Sequence, residues 1–253
     1  MIRRTQAGAE AFCRRDIFGT RIAATLATYG LDRDGVSVYV QQAGDAVTAV
    51  LSDAFSDGTL CCTSDADFDE LREFVHFLGL QTLLCDKQGA ESLGFSPDCI
   101  GHIMRYVHTE RIPQADCITP DQDAFRYREV YDLLKACGFT PGEYDAWLGD
   151  FALRVRRGTA NVLCVRQNDR AVSTASALFL TDTAVYLGAV GTRDTCRGQG
   201  LGGDLVLRLA QCGKRAEILC RPHRVSFYES LGFTRNGEFA LCHFSPSTNV
   251  FLP

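Results

Sequence analysis

Six consecutive residues, Arg197-Gly198-Gln199-Gly200-Leu201-Gly202, combine the properties needed to hold a phosphate. They follow an apolar run, 183–190, that reads as a strand, and they open an apolar-periodic run, 201–210, that reads as a helix. The N–H groups of a helix's first turn lack intrahelical partners, and the helix dipole favours an anion beside them. The missing side chains at Gly198, Gly200 and Gly202 let that backbone approach a bulky diphosphate. Arg197 adds a permanent charge with several donors. A loop of this kind also serves as an ordinary strand-to-helix connection. A third reading is the dinucleotide fingerprint G-x-G-x-x-G, which Gly198, Gly200 and Gly203 fit. Three features count against it. Residues 191–197 separate the strand from the first glycine, the next strand (217–220) ends in Arg221 where a ribose-binding acid is wanted, and only about fifty residues remain downstream.

A second motif lies close behind. Arg224-Val225-Ser226-Phe227-Tyr228-Glu229-Ser230-Leu231-Gly232-Phe233 reads as a short helix, a glycine C-cap and the start of a strand. With R-x-x-G-x-G at 197–202 and F-Y-E-x-x-G-F at 227–233, the stretch 124–244 resembles the GNAT superfamily of acyl-CoA N-acyltransferases. Both signatures stand in the family's order and on the expected elements.

The resemblance implies direct transfer, in which a substrate amine attacks the thioester carbonyl of acetyl-CoA in a ternary complex. It implies that Arg197, Gly198, Gln199, Gly200, Leu201 and Gly202 bind the diphosphate. It further implies that the splayed strand end Val190-Gly191-Thr192 pairs with the pantetheine arm, and that Tyr228 protonates the departing thiolate. A backbone N–H at the splayed strand would stabilise the oxyanion. Helix periodicity puts Phe227 and Leu231 on the core face and Tyr228 about 100° away from it. The chain departs from many relatives at Arg221 and Arg224, where Asn and Ala are common, which bears on the pocket's shape. No residue stands out as general base; Glu143, Asp145, Asp150 and His243 are the candidates. The acceptor is an amine on a small molecule or a protein. An acetyl-CoA-binding sensor without turnover is the alternative, and a nucleotide-dependent oxidoreductase is a more distant one.

The elements that must position these residues occur twice. Val40-x-Gln42-x-x-x-Ala46-Val47 recurs as Val165-x-Gln167-x-x-x-Ala171-Val172, Leu84-Cys85 as Leu219-Cys220, and Glu91-Ser92-Leu93-Gly94-Phe95 as residues 229–233. The offset grows along the chain, and the second copy gains its extra residues in the interval that contains the glycine loop. In the first copy a helix at 18–29, a hairpin of 36–41 and 46–52, a strand at 59–63, a helix at 67–78, a strand at 81–85 and a short helix to Leu93 are expected. In the second copy the expected order is helices at 125–137 and 142–156, a hairpin of 161–167 and 171–180, and the strand 183–190. The loop and its helix come next, then a strand at 217–220, the short helix and a last strand at 233–244. The fold class is α/β, with two GNAT-like domains in tandem, each a mixed twisted sheet flanked by helices. The domains are read as 1–110, a Pro-containing linker 111–122, and 123–253.

The first copy reads as degenerate. Its strand runs directly into Ser64-Asp65-Ala66-Asp67-Phe68-Asp69-Glu70, which suits helix capping and would repel a pyrophosphate, and Ala90 stands where the second copy has Tyr228.

Composition narrows the remaining classes. A net charge of −5 without a basic stripe argues against nucleic acid as partner. No apolar run is long enough to span a bilayer, and the N-terminus lacks the apolar stretch of a secretory signal. Twelve cysteines occur without C-x-x-C, and the five histidines have no ligand spacing, so no metal is expected. Many of those cysteines sit in apolar runs, as small buried hydrophobes do in a reducing cytoplasm.

Overall fold

The computed structural model describes residues 1–4, 9–31, 33–123 and 125–244. Its first elements are β1 (Ile2–Arg4), α1 (Glu10–Cys13), α2 (Ile17–Tyr29), β2 (Val36–Ala43), β3 (Ala46–Ala54), β4 (Asp57–Cys62), α3 (Phe68–Leu78), β5 (Thr82–Asp86), α4 (Lys87–Ser92) and β6 (Cys99–Tyr106). Then follow α5 (Tyr127–Ala136), α6 (Tyr144–Arg156), β7 (Asn161–Gln167), β8 (Arg170–Leu180), β9 (Ala184–Thr192), α7 (Leu201–Ala210), β10 (Arg215–Cys220), α8 (Val225–Glu229) and β11 (Phe233–His243). The order from β2 to β5 repeats from β7 to β10, and even the hairpin irregularity recurs, at Gln41/Gln42 and at Val165/Arg166. The mixed α/β class read from the sequence holds.

The chain divides into two compact units. One comprises residues 1–103 and resumes at Gly237; the other is residues 104–236. This is not the division that a cut at 111–122 would give. In the first unit β1 to β5 lie side by side, antiparallel except for the parallel pair β4–β5. Its next strand comes from the far end of the chain, for residues 239–243 of β11 run antiparallel to β5, with Ala240 opposite Cys85. In the second unit β7, β8 and β9 are antiparallel and β10 is parallel to β9. Residues 111–122 belong to this unit, where Ile118 bridges to Cys164. The sequence reading missed β1, α1 and β6 altogether.

In the second unit the period of two along β7 sends Leu163 and Val165 to one core, with Leu205, Val206 and Leu209 of α7. Val162 and Cys164 go to the other, with Val130, Leu133 and Phe151 of α5 and α6. The sheet is thereby covered on both faces, and the two helix layers leave only strand ends and loops to carry chemistry. All twelve cysteines are free thiols.

The two helices that follow the parallel-paired strands start differently. α3 is capped by Asp67, whose carboxylate accepts from the Glu70 N–H at 3.0 Å, and it ends in left-handed Gly79. Asp67→Ala should therefore cost about 1 kcal/mol and lower Tm by about 2–4 °C, read by thermal unfolding. α7 starts from Gly200 at φ +79°, and no side chain caps it.

Candidate active site

The site begins where two strands part. β9 and β10 pair from Arg215–Ala184 to Ile218–Leu187 and no further. On the other side of β9, Ser176 faces Gly188 but Thr174 faces Gly191, so one extra residue bulges out of β9. Ala189 takes the strain, with φ +49°, a conformation that residues with a Cβ rarely adopt. The bulge and the parting of the strands open a cavity of about 690 Å³, of ordinary size for a small-molecule site. Its walls include residues 188–192 of β9 and Ile218, Leu219 and Cys220 of β10.

The glycine loop forms one end of this cavity. Arg197, Gly198, Gly200, Leu201 and Gly202 line it together with Val190, Gly191 and Thr192. Gln199 is not among the lining residues. Gly198 and Gly200 both have left-handed φ, at +77° and +79°. A Cβ on Gly202 would stand 3.0 Å from Thr192 Oγ1, so glycine there lets the helix start press against the strand edge. The amides of residues 198–203 donate to no acceptor among the described residues, which leaves a row of N–H groups for an anion. Arg197 lies beside them, held by Asp194 at 2.8 Å, a neighbour the sequence reading did not anticipate. A Cβ on Gly191 would meet Cys137 Sγ at 3.1 Å, so this glycine admits the end of α5 to the cavity wall.

A second cation reaches the loop from a part of the sequence read as linker. Arg111 lines the cavity, and its Nη2 donates to Asp204 Oδ1 at 2.7 Å and to the Gly200 carbonyl at 3.3 Å. Asp204, in the first turn of α7, is only 6% exposed. Its other oxygen accepts from the Gln114 and Ala115 amides, both at 2.9 Å. Burial would raise the Asp204 pKa, but Arg111 and the two amides outweigh it and hold the carboxyl below its usual value. The stability contributed by the pair is thus present above the ordinary carboxylate pKa and is lost as pH falls through the lower folded value. The sequence carried one signal of this arrangement, an acid in a helix turn otherwise suited to anions.

Tyr228 lines the same cavity. It is 7% exposed, and its ring meets Phe233 edge-on at 5.8 Å. Burial pushes its phenol pKa up, the neighbouring Cys220 adds to the shift and Arg224 partly offsets it. The hydroxyl therefore keeps its proton through the neutral range. The expected core position of Phe227 is corrected: it is 38% exposed and lines the cavity, while Val225 and Tyr228 are the buried members of α8. A helix of five residues is too short for periodicity to fix which face turns inward.

Four arginines line the cavity, Arg111, Arg197, Arg221 and Arg224, with His223 and no carboxylate. None of the candidate bases lines it. Glu143 stands at the N-cap position of α6, Asp150 pairs with Arg154 at 2.9 Å, Asp145 lies in the first turn of α6, and His243 contacts Asp98 in the first unit. The buried acid nearest in sequence to the strand wall, Glu217, is engaged by Arg105 at 2.8 and 3.0 Å. Among the described residues no group of three or more side chains could hold a metal ion, and no helix is long and apolar enough to cross a membrane.

Residues 127–233 match the family model described as acetyltransferase (GNAT) family. Among proteins of curated function, none matches the sequence. Among solved structures, a GCN5-related N-acetyltransferase from Sphaerobacter thermophilus is 15% identical, with a TM-score of 0.60 over 95% of this chain and 94% of its own. One from Kribbella flavida is 16% identical, with a TM-score of 0.55 over 90% of this chain and 97% of its own. A tandem GNAT protein from the clavulanic acid biosynthesis pathway is 13% identical, with a TM-score of 0.53 over 98% and 100%. At these identities the likeness is one of fold. Residues 127–233, within the second unit, thus match the GNAT acetyltransferase family, and nearly the whole chain shares its fold with a tandem GNAT protein.

Proposed function

We propose that the protein is an N-acetyltransferase that moves an acetyl group from acetyl-CoA to an amine. The observation that carries the reading is one cavity whose lining combines free loop amides, four arginines, a strand bulge and a buried tyrosine. A wall with four arginines and no carboxylate suits a polyanionic substrate. Arg197 and the amides of residues 198–202 would hold the diphosphate, Gln199 through its backbone alone. Residues 190–192 would pair with the pantetheine arm, and the unpaired backbone of the bulge would donate to the oxyanion, worth on the order of 3 kcal/mol.

In the transfer the amine lone pair forms a C–N bond to the thioester carbonyl carbon, and the C–S bond then breaks. Tyr228 gives its proton to the departing sulfur, and the new amide nitrogen sheds its own to water. Since no carboxylate lines the cavity, the amine arrives neutral or gives its proton to solvent or to His223, the imidazole among the lining residues. That same lack of a carboxylate favours a second reading, in which the protein holds acetyl-CoA as a sensor without turnover. The acceptor is an amine of a small molecule or protein, no nucleic acid or membrane partner is proposed, and the setting is the cytoplasm.

Acetyl-CoA should raise Tm, by linkage, and Arg197→Ala should reduce the rise at equal ligand concentration. Longer acyl-CoAs and NADPH serve as comparison ligands. Release of free thiol with an amine acceptor would separate the enzyme from the sensor, and stabilisation by NADPH alone would sink both.

A further inference from the structure

Residues 111–115 are strapped along α7 by Asp204 and Arg208 of that helix and by the residues that flank it, Gly200 and Gln211. Asp204 holds the Gln114 and Ala115 amides and the Arg111 guanidinium, and the Gly200 carbonyl takes a second bond from Arg111. Further along, Arg208 donates to the Ala115 carbonyl at 2.9 Å and Gln211 to the Arg111 carbonyl at 3.3 Å. This anchoring sets the Arg111 guanidinium on the wall of the cavity, beside Gly200 and Gly203. Its contacts use Nη2 only; among the described residues Nε and Nη1 donate to no acceptor.

An acid in the first turn of a helix that offers its amides to an anion is an unusual neighbour. Alone, the Asp204 carboxylate would repel a phosphate at the same helix end. With Arg111 against it the pair is neutral, and the guanidinium's unused donors remain for the phosphate. We propose that Arg111 is a phosphate-binding residue of this site and that Asp204 is its positioning residue. The proposal rests on the reading that the cavity takes CoA. It adds a contact from a segment outside both sequence motifs, 93 residues before its helix partner.

The test is calorimetric titration of the full chain with CoA and with dephospho-CoA, alongside competition by pantetheine, which has no phosphate ester. Arg111→Ala should weaken CoA about 10- to 100-fold and leave pantetheine unchanged, with Arg111→Lys intermediate. Adding Asp204→Asn to Arg111→Ala should recover part of the loss, because the exposed carboxylate goes with it. A merely structural strap would make the double variant worse. If dephospho-CoA loses as much as CoA, the contact is to the diphosphate; if it loses nothing, the contact is to the 3′-phosphate; either result supports the proposal. CoA affinity unchanged in Arg111→Ala, or lost equally for pantetheine, overturns it while the CoA reading stands. A wild-type chain that binds no CoA overturns both.

Discussion

Tyr228→Phe is expected to lower kcat by about 10²–10⁴-fold and to leave the KM for acetyl-CoA near its wild-type value. The substitution removes one hydroxyl and keeps the ring that packs against Phe233 at 5.8 Å, so the fold loses little. What goes is the proton donor. A thiolate that departs without a proton is a poorer leaving group than a thiol, and the barrier rises by about 1.4 kcal/mol for each tenfold loss. Burial raises the phenol pKa, so the wild-type rate should show no alkaline fall from this group until well above neutral pH. Steady-state kinetics with an amine acceptor and free-thiol detection decide the matter. An unchanged kcat would mean that Tyr228 is only part of the wall.

The largest loss of stability should come from Gly232→Ala. Gly232 has φ +85°, and a Cβ there would lie 2.1 Å from the His108 carbonyl oxygen and 2.7 Å from its carbon. Both atoms are backbone, and the same segment is tied to Gly232 by the Val107 N–H to its carbonyl at 3.0 Å, so neither side can yield cheaply. The left-handed conformation alone costs an alanine about 1–2 kcal/mol. With the overlap added, a total of about 3–4 kcal/mol and a Tm about 10 °C lower are expected. The repeat supplies a control. Gly94 stands at the same place in the Glu-Ser-Leu-Gly-Phe of the first copy, at φ +72°, but a Cβ there meets nothing within 4 Å. Gly94→Ala should therefore cost only the conformational part. Equal losses from the two variants would refute the overlap as the cause. Leu231, beside Gly232, packs under Gly203 at the start of α7, so CoA affinity should fall with stability in the first variant alone.

The chemistry most legible in the sequence was local. A glycine loop between a strand and a helix, and a tyrosine four residues before a capping glycine, announce themselves within a few positions of chain. The duplicated order of elements was legible for the same reason, since each hairpin and helix carries its own period. What escaped was set at a distance. β6 escaped because Cys99–Tyr106 has no clean alternation of buried and exposed residues and contains a glycine. Arg111 escaped because it sits in a proline-flanked stretch whose partner, Asp204, is far along the chain. Phe227 and Tyr228 were given the wrong sides because five residues do not define a helix face. The bulge at Ala189 escaped because an alanine at φ +49° leaves no mark in composition.

The placement of residues 239–243 against β5 has a consequence for how the chain is made. A ribosome delivers the first unit's own strands early, at roughly 5–20 residues per second. The strand that covers β5 emerges more than a hundred residues after it, on the order of ten seconds later. Until then a nascent chain carries an open β-edge, the feature most prone to pair with the wrong neighbour. The first unit is thus completed only after the second has been translated. A polypeptide stopped at residue 103 should aggregate during synthesis, and a peptide spanning 237–244 supplied in trans should rescue it.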